Sequence, residues 1–284
     1  MTALPTAATR LVALLGNPVS HSLSPLVQNA ALRAAGLDGV YLALRCGAAE
    51  LPGLLRGIAR AGGAGNVTVP HKEAAALAVE RRTGAVERTG ACNAFWSEGG
   101  EVWGDNTDVA GFAAAAAALL GREPRGARVL LLGAGGAARA VLCALADAGA
   151  DQVVVVNRTP ARADSLLERL RAPGTRLARA ASAEALAGER FDLAVHSTPL
   201  GLRPGDPLPL APGRGPIVGA GLDLVYAPGG ETPWVRALRA AGVPAADGTE
   251  MLLRQGAAAF RRWWGVPAPL EAMRAALPAR EGAP

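Results

Sequence analysis

The sequence predicts an α/β protein of two domains, with a mixed sheet in the N-terminal domain and a doubly wound parallel sheet in the following one. Three observations predict it. Short apolar runs alternate with helical patterns over residues 11–103. The turn GAGGAA at 133–138 follows a buried apolar run and opens a helical pattern. Beyond it the strand–helix rhythm repeats, and such repeats close as parallel sheets with right-handed crossovers. The chain has 284 residues, half of them apolar, which suits two cores at ~100–200 residues per domain.

Taken in order, residues 11–15 read as a strand, cut by Gly16-Asn17-Pro18. Ser24-Pro25 is expected to open a helix, with Ser24 as N-cap, Pro25 at the first helical position and Gly36 at the end. A second strand is expected at 41–45, a second helix at 48–61 and a third strand at 66–69, with helix resuming near His71. Runs at 94–96 and 102–103 flank Glu98-Gly99-Gly100, which predicts a hairpin and makes the first sheet mixed. An alanine-rich helix at 109–120 leads onward. Then come a buried strand at 128–132, a glycine turn at 133–137, a helix at 138–148 closed by Gly149, and a strand at 152–156. Residues 191–195 and 219–225 are strand-like, and 203–215, rich in Pro and Gly, is a connecting loop expected to be mobile. The last helix, 250–263, follows Asp247-Gly248-Thr249 and is expected to return to the first domain. The expected division is therefore 1–108 completed by 249–284, and 109–248.

Composition narrows the function classes. The net charge is +5, but the arginines are scattered and few aromatics interleave with them, which argues against a nucleic-acid groove. Cys46, Cys92 and Cys143 are too few and too spread for a disulfide framework, which fits a reducing cytoplasm. No charged leader precedes the first apolar run, and the run at 109–120 falls short of the ~20 residues that span a bilayer. His21, His71 and His196 lack metal-ligand spacing, so no metal site, membrane or nucleic-acid partner is expected.

The glycine turn carries G-x-G-x-x-A as Gly133, Gly135 and Ala138. Preceded by a strand and followed by a helix, it reads as a dinucleotide site, where glycines let the backbone approach a pyrophosphate at a helix N-terminus. A turn that merely packs helix on strand would look similar. The next strand ends in Asn157-Arg158-Thr159, with Arg162 one turn on. An acid there would hold a ribose 2′-hydroxyl; a pair of guanidiniums suits a 2′-phosphate instead, which favours NADP over NAD. Ordinary surface arginines are the plain alternative in a chain this rich in arginine.

Of the 29 Lys+Arg residues only Lys72 is a lysine, in the stretch GNVTVPHKEAAA. An ammonium can give up a proton and an arginine cannot, so Lys72 marks either a site that needs proton transfer or a stray surface lysine. Asp108, in GDNTDVAG, is either a second titratable group or the N-cap of the alanine-rich helix. Ser22 and Ser24 project the same way from an extended segment and offer two hydroxyls to one carboxylate. Thr68, near a strand end, and Asn93, in the turn before 94–96, would add to a polar pocket.

The motifs GNPVSHSLSP, NVTVPHK, GACNA, GDNTD, GAGGAARA, NRTPAR, STPLG, DLVYAP with ETP, and GTEMLLRQGAAAF occur in one order over nearly the whole chain. In them the sequence resembles the shikimate dehydrogenase family. The resemblance implies a substrate domain completed by the C-terminal helix, a Rossmann-like NADP domain, and NADPH-dependent reduction of 3-dehydroshikimate to shikimate. It implies Lys72 as acid/base with Asp108 as partner, Ser22 and Ser24 on the substrate carboxylate, and Thr68, Asn93, Asp108, Tyr226 and Gln255 around the substrate. Gly133, Ala134, Gly135, Gly136, Ala137, Asn157, Arg158, Thr159, Arg162, Leu224 and Gly248 match its cofactor contacts. Gln28-Asn29 replaces the family's more usual His-Asn, GACNA its more usual Val and Thr around Asn93, and His196 stands where Asn is common. Two alternatives are a quinate/shikimate dehydrogenase and a non-catalytic NADP-binding regulator; Ser24 and Arg158 speak against the first, Lys72 with Asp108 against the second. A homodimer stays open.

Overall fold

Strand β1 (Arg10–Gly16) sends Val12 and Leu14 to one apolar cluster and Ala13 and Leu15 to another, which is why its sequence reads as an unbroken apolar run. The structure is a computed structural model that describes residues 4–170, 174–203, 205–227 and 231–278. The chain continues through α1 (Ser24–Ala34), β2 (Gly39–Arg45), α2 (Leu51–Arg60), β3 (Ala64–Val67), α3 (Lys72–Ala78), β4 (Arg81–Arg82), α4 (Gly84–Thr89), β5 (Ala94–Glu98), β6 (Glu101–Asp105) and α5 (Asp108–Leu120). The first sheet runs β2-β1-β3-β5-β6-β4. In it β5 is antiparallel to β3 and β6, while the other pairs are parallel. One face packs on α1 and on Leu253, Phe260 and Trp263 from near the C-terminus; the other, to which β5 contributes Phe95, packs on Leu51 and Leu55 of α2.

The second unit carries β7 (Arg128–Leu132), α6 (Gly136–Asp147), β8 (Gln152–Val156), α7 (Pro160–Arg169), β9 (Arg176–Ala180), β10 (Arg190–Phe191), β11 (Leu193–His196), β12 (Ile217–Val218), β13 (Gly221–Asp223), α8 (Pro233–Ala240) and β14 (Ala245–Ala246), of which all the strands but the separate pair β10 and β12 form one sheet. Its order is β14-β13-β11-β7-β8-β9, and every pair is parallel. The chain winds from β7 to β9 on one side and from β11 to β14 on the other, so the order reverses between β7 and β11. Ligands of such sheets bind beyond the strand carboxyl ends at that switch point. Helix α9 (Thr249–Trp264) and α10 (Leu270–Ala275) follow. The chain falls into two compact units: residues 252–277 belong with Met1–Gly111, and Phe112–Met251 forms the core of the second unit.

Several local expectations need correcting. Ser24 is not the N-cap of α1: Leu23 takes that place with helical angles (φ −83°, ψ −6°), and Ser24 is the first helical residue. The chain turns helical one residue early because the Ser22 hydroxyl accepts the Ser24 N–H at 3.2 Å. Helix α2 begins at Leu51 rather than 48, and β3 ends at Val67, leaving Thr68 and Val69 outside the strand. Helix α6 begins at Gly136, with an extended Gly135 as its cap. The strand expected at 191–195 is interrupted at Asp192, and the one expected at 219–225 is confined to Gly221–Asp223. The Asp192 N–H turns to the Arg128 carbonyl at 2.8 Å, which transfers the chain from the small β10–β12 pair to the main sheet. Residues 203 and 205–215 form no helix or strand. Position 204 of that loop, and Pro228 at the end of DLVYAP, lie outside the described residues.

Candidate active site and dinucleotide site

In the first unit the sequence converges on one polar cluster. Lys72 opens α3, and its backbone is held from both sides. His71, the N-cap, donates from Nε2 to the Cys46 carbonyl at 2.9 Å, and the Lys72 carbonyl accepts the Cys92 N–H at 2.8 Å. The Lys72 Nζ donates to Asp108 Oδ2 at 2.5 Å, with side-chain exposures of 20% and 9%. Asp108 is the first residue of α5, and its other oxygen, Oδ1, accepts from Asn93 Nδ2 at 2.8 Å. Both carboxylate oxygens are thus occupied by side chains rather than turned back to cap their own helix.

Asn93 organises the rest. Its Oδ1 accepts the Thr107 N–H at 2.7 Å and the Thr107 hydroxyl at 3.1 Å. Its Nδ2 also lies 3.3 Å from Gln255 Oε1. Gln255 reaches this place because Gly111 leaves room: a Cβ there would lie 2.7 Å from that of Gln255. The Asn93 carbonyl accepts from Asn66 Nδ2 at 2.8 Å, and Asn66 Oδ1 accepts the Tyr41 hydroxyl at 2.8 Å. Burial holds the Tyr41 hydroxyl's pKa well above the ordinary phenol range. One hydrogen-bonded path therefore runs from Tyr41 through Asn66, Asn93 and Asp108 to Lys72. Thr107, Asn66 and Tyr41 went unnoticed in the sequence. Thr107 sits inside the GDNTD motif, which could have flagged it; Asn66 and Tyr41 carry no local signal.

Ser22 is half-buried and Ser24 buried, next to each other at the start of α1. Thr68 follows β3, its N–H on the Leu15 carbonyl and its carbonyl accepting the His71 N–H. Tyr226 belongs to the second unit, in the segment after β13.

In the second unit β7 ends at the switch point, and Gly133 follows with φ +115°. A side chain there would be strained and would also strike Ser197 and Thr198, since a Cβ would lie 2.6 Å from Ser197 Oγ. Gly135 and Gly136 are exposed, and a Cβ on either would meet nothing within 4 Å. Ala134 and Ala137 are partly buried beside them. The turn thus presents open backbone at the N-terminus of α6, where free N–H groups and the helix dipole favour an anion. After β8, Asn157 Nδ2 donates to the Thr159 carbonyl at 2.8 Å. Arg158 and Arg162 are exposed. No carboxylate stands at the end of β8, so the residues fit a dinucleotide bearing a 2′-phosphate. Leu224 donates its N–H to the His196 carbonyl at 2.9 Å, and Gly248 packs so closely that a Cβ would lie 2.4 Å from the Leu224 carbonyl oxygen.

Among the described residues no group of three or more His, Cys, Asp or Glu could hold a metal ion, and no helix is long and apolar enough to cross a membrane.

Comparison with known proteins covers most of the chain. Residues 14–95 match the model of the shikimate dehydrogenase substrate binding domain. Residues 115–199 match that of shikimate / quinate 5-dehydrogenase, and 248–277 that of the shikimate 5′-dehydrogenase C-terminal domain. The shikimate dehydrogenase (NADP(+)) of Rubrobacter xylanophilus is 45% identical over 279 residues, covering 95% of each chain. Shikimate dehydrogenase from Aquifex aeolicus superposes with a TM-score of 0.87 at 33% identity, covering 96% of this chain and 99% of that one. Shikimate 5-dehydrogenase from Thermus thermophilus, solved in complex with NADP(H) and shikimate, gives a TM-score of 0.82 at 38% identity, covering 94% of this chain and 98% of that one.

Proposed function

The chain belongs to the shikimate dehydrogenase family, and from that premise we propose that it catalyses the reversible NADPH-dependent reduction of 3-dehydroshikimate to shikimate, a step of aromatic amino-acid biosynthesis. The observation that carries the mechanism is the Lys72–Asp108 pair: the chain's one lysine donates at 2.5 Å to a mostly buried carboxylate.

Bound NADPH supplies the hydride. The protein must supply a proton to the ketone oxygen as it becomes an alcohol, and take it back in the reverse direction. Lys72 gives that proton from Nζ and recovers it during oxidation of shikimate. Asp108 fixes the ammonium through Oδ2, and Asn93 fixes Asp108 through Oδ1. Ser22 and Ser24 hold the substrate carboxylate by hydroxyl donation. Thr68, Asn93, Gln255 and Tyr226 bind the substrate's hydroxyl groups. The first unit is read as the substrate domain and the second as the NADP domain, in which Arg158 and Arg162 take the 2′-phosphate, while the backbone of Gly133, Ala134, Gly135, Gly136 and Ala137 takes the pyrophosphate. Asn157, Thr159, Leu224 and Gly248 complete that contact set. The cytoplasm is the proposed compartment, on the strength of three free cysteines.

Steady-state assay with shikimate and quinate against NADP⁺ and NAD⁺ tests the reading. Turnover of shikimate with NADP⁺ should exceed the other three combinations; a preference for quinate or for NAD⁺ would move the chain to the quinate-using branch, and no turnover at all would favour a binding protein.

A further inference from the structure

His196 is fully buried, yet takes no part in the chemistry proposed above. Its two ring nitrogens are both engaged. Nδ1 lies 2.8 Å from Asp223 Oδ1, and Nε2 lies 2.5 Å from Thr198 Oγ1. Asp223, 1% exposed, also accepts the Val225 N–H at 3.0 Å and the Thr232 hydroxyl at 2.7 Å. Thr232 caps α8 by accepting the Val235 N–H. The ring stands edge-on to Trp234 at 5.7 Å.

Donor and acceptor roles follow from this set. An ionised carboxylate only accepts, so Nδ1 must carry the proton toward Asp223. In the neutral ring Nε2 is then the acceptor of a hydrogen bond from the Thr198 hydroxyl, while Thr198 Oγ1 accepts the Leu200 N–H at 3.2 Å. With that tautomer each of these groups is satisfied without further partners, as buried polar groups require. The far end of the network meets the glycine turn, because Ser197 and Thr198 occupy the space into which a Cβ of Gly133 would project. Ser197 also donates from Oγ to the Leu132 carbonyl at 3.0 Å.

We infer that His196 is a positioning residue for the cofactor turn: bridging Asp223 and Thr198, it holds the Ser197–Thr198 segment against Gly133 and thereby sets the affinity for NADP(H). The inference rests on the reading of the second unit as the NADP domain. His196 touches no reacting atom; it acts through Thr198 and the backbone beside Gly133.

The test is titration of NADPH fluorescence on the full chain, beside steady-state kinetics. His196→Leu removes both hydrogen bonds. His196→Asn keeps a donor in the place of Nδ1 and loses the acceptor for Thr198, and so remains informative if His196→Leu does not fold. Thr198→Val cuts the same link from the other end. Each variant should raise the dissociation constant for NADPH roughly tenfold, the scale of one lost buried hydrogen bond, while the Michaelis constant for shikimate stays within about twofold. The His196→Asn, Thr198→Val double variant should bind no worse than the weaker single one, since both cut one link. An unchanged NADPH dissociation constant in His196→Asn, or fully additive losses in the double variant, would overturn the inference. The ¹⁵N signals of the imidazole give a second readout in a chain with three histidines. The signal lost in His196→Asn should show a protonated Nδ1 and a bare Nε2; the opposite tautomer would also overturn it. Wild-type protein that binds NADPH but does not oxidise shikimate would instead count against the proposed function, leaving the binding comparison intact.

Discussion

Lys72 Nζ and Asp108 Oδ2 stand 2.5 Å apart, the two mostly buried at the head of one helix each. A charge-assisted bond of this kind fixes the ammonium in one orientation. Asp108→Asn keeps the shape and an acceptor oxygen but removes the charge. Turnover should fall by about 10²-fold or more, at the lower end of general acid–base effects, with NADPH binding unchanged. Stopped-flow or steady-state rates beside a NADPH titration check it; equal losses in binding and rate would point to a folding defect.

Arg158 is exposed after β8, where an acid would favour NAD. Arg158→Asp should raise the Michaelis constant for NADP⁺ and narrow the preference over NAD⁺. Equal use of both cofactors by the unmodified protein would remove the 2′-phosphate reading altogether.

Ser22 is the less buried of the two serines, and its hydroxyl accepts only the Ser24 N–H among the bonds described. Its own proton is available to a substrate carboxylate. Ser22→Ala should weaken shikimate binding by about 1–3 kcal/mol, read from the Michaelis constant or a calorimetric titration. An unaltered constant would take Ser22 out of the carboxylate site.

Alkaline pH should destabilise the protein through buried groups. Burial, the largest cause, pushes the Cys92 thiol from its ordinary 9.0 up to about 12, and burial likewise raises the Tyr41 phenol. A raised folded-state value keeps the group protonated while the unfolded chain ionises, so the unfolded state binds fewer protons. The contribution is complete below about pH 9 and is lost as pH rises toward 12. Urea midpoints measured from pH 8 to 11 should fall, and Cys92→Ala should flatten part of that fall. Identical profiles for the two proteins would remove Cys92 as a cause.

Much of this architecture was legible because it is local. The strands at 128–132 and 152–156 match β7 and β8 residue for residue, since both are buried runs with glycine or polar boundaries. The glycine turn was readable because φ > 0 at Gly133 and close approach to Ser197 demand a residue without a side chain. What escaped was set by distant contacts. The break at Asp192 depends on its N–H reaching the Arg128 carbonyl, 64 residues away. The cap of α1 shifted because a hydroxyl two residues upstream was better placed. Asn66 and Tyr41 join the polar cluster only once β2 and β3 flank β1. His196 was visible as an oddity in its motif, but its partner Asp223 is 27 residues on, and no spacing rule connects them.

The central claim is that Lys72 moves a proton, and Lys72→Arg tests it most directly. Arginine keeps the positive charge and much of the reach toward Asp108, but is a very poor proton donor at neutral pH. The measurement is the turnover number for shikimate oxidation with NADP⁺ at neutral pH, with the dissociation constant for NADPH taken on the same sample. Turnover should fall by about 10²–10⁴-fold while NADPH binding stays at the wild-type value. Near-normal turnover would contradict the account and reduce Lys72 to an anchor of positive charge.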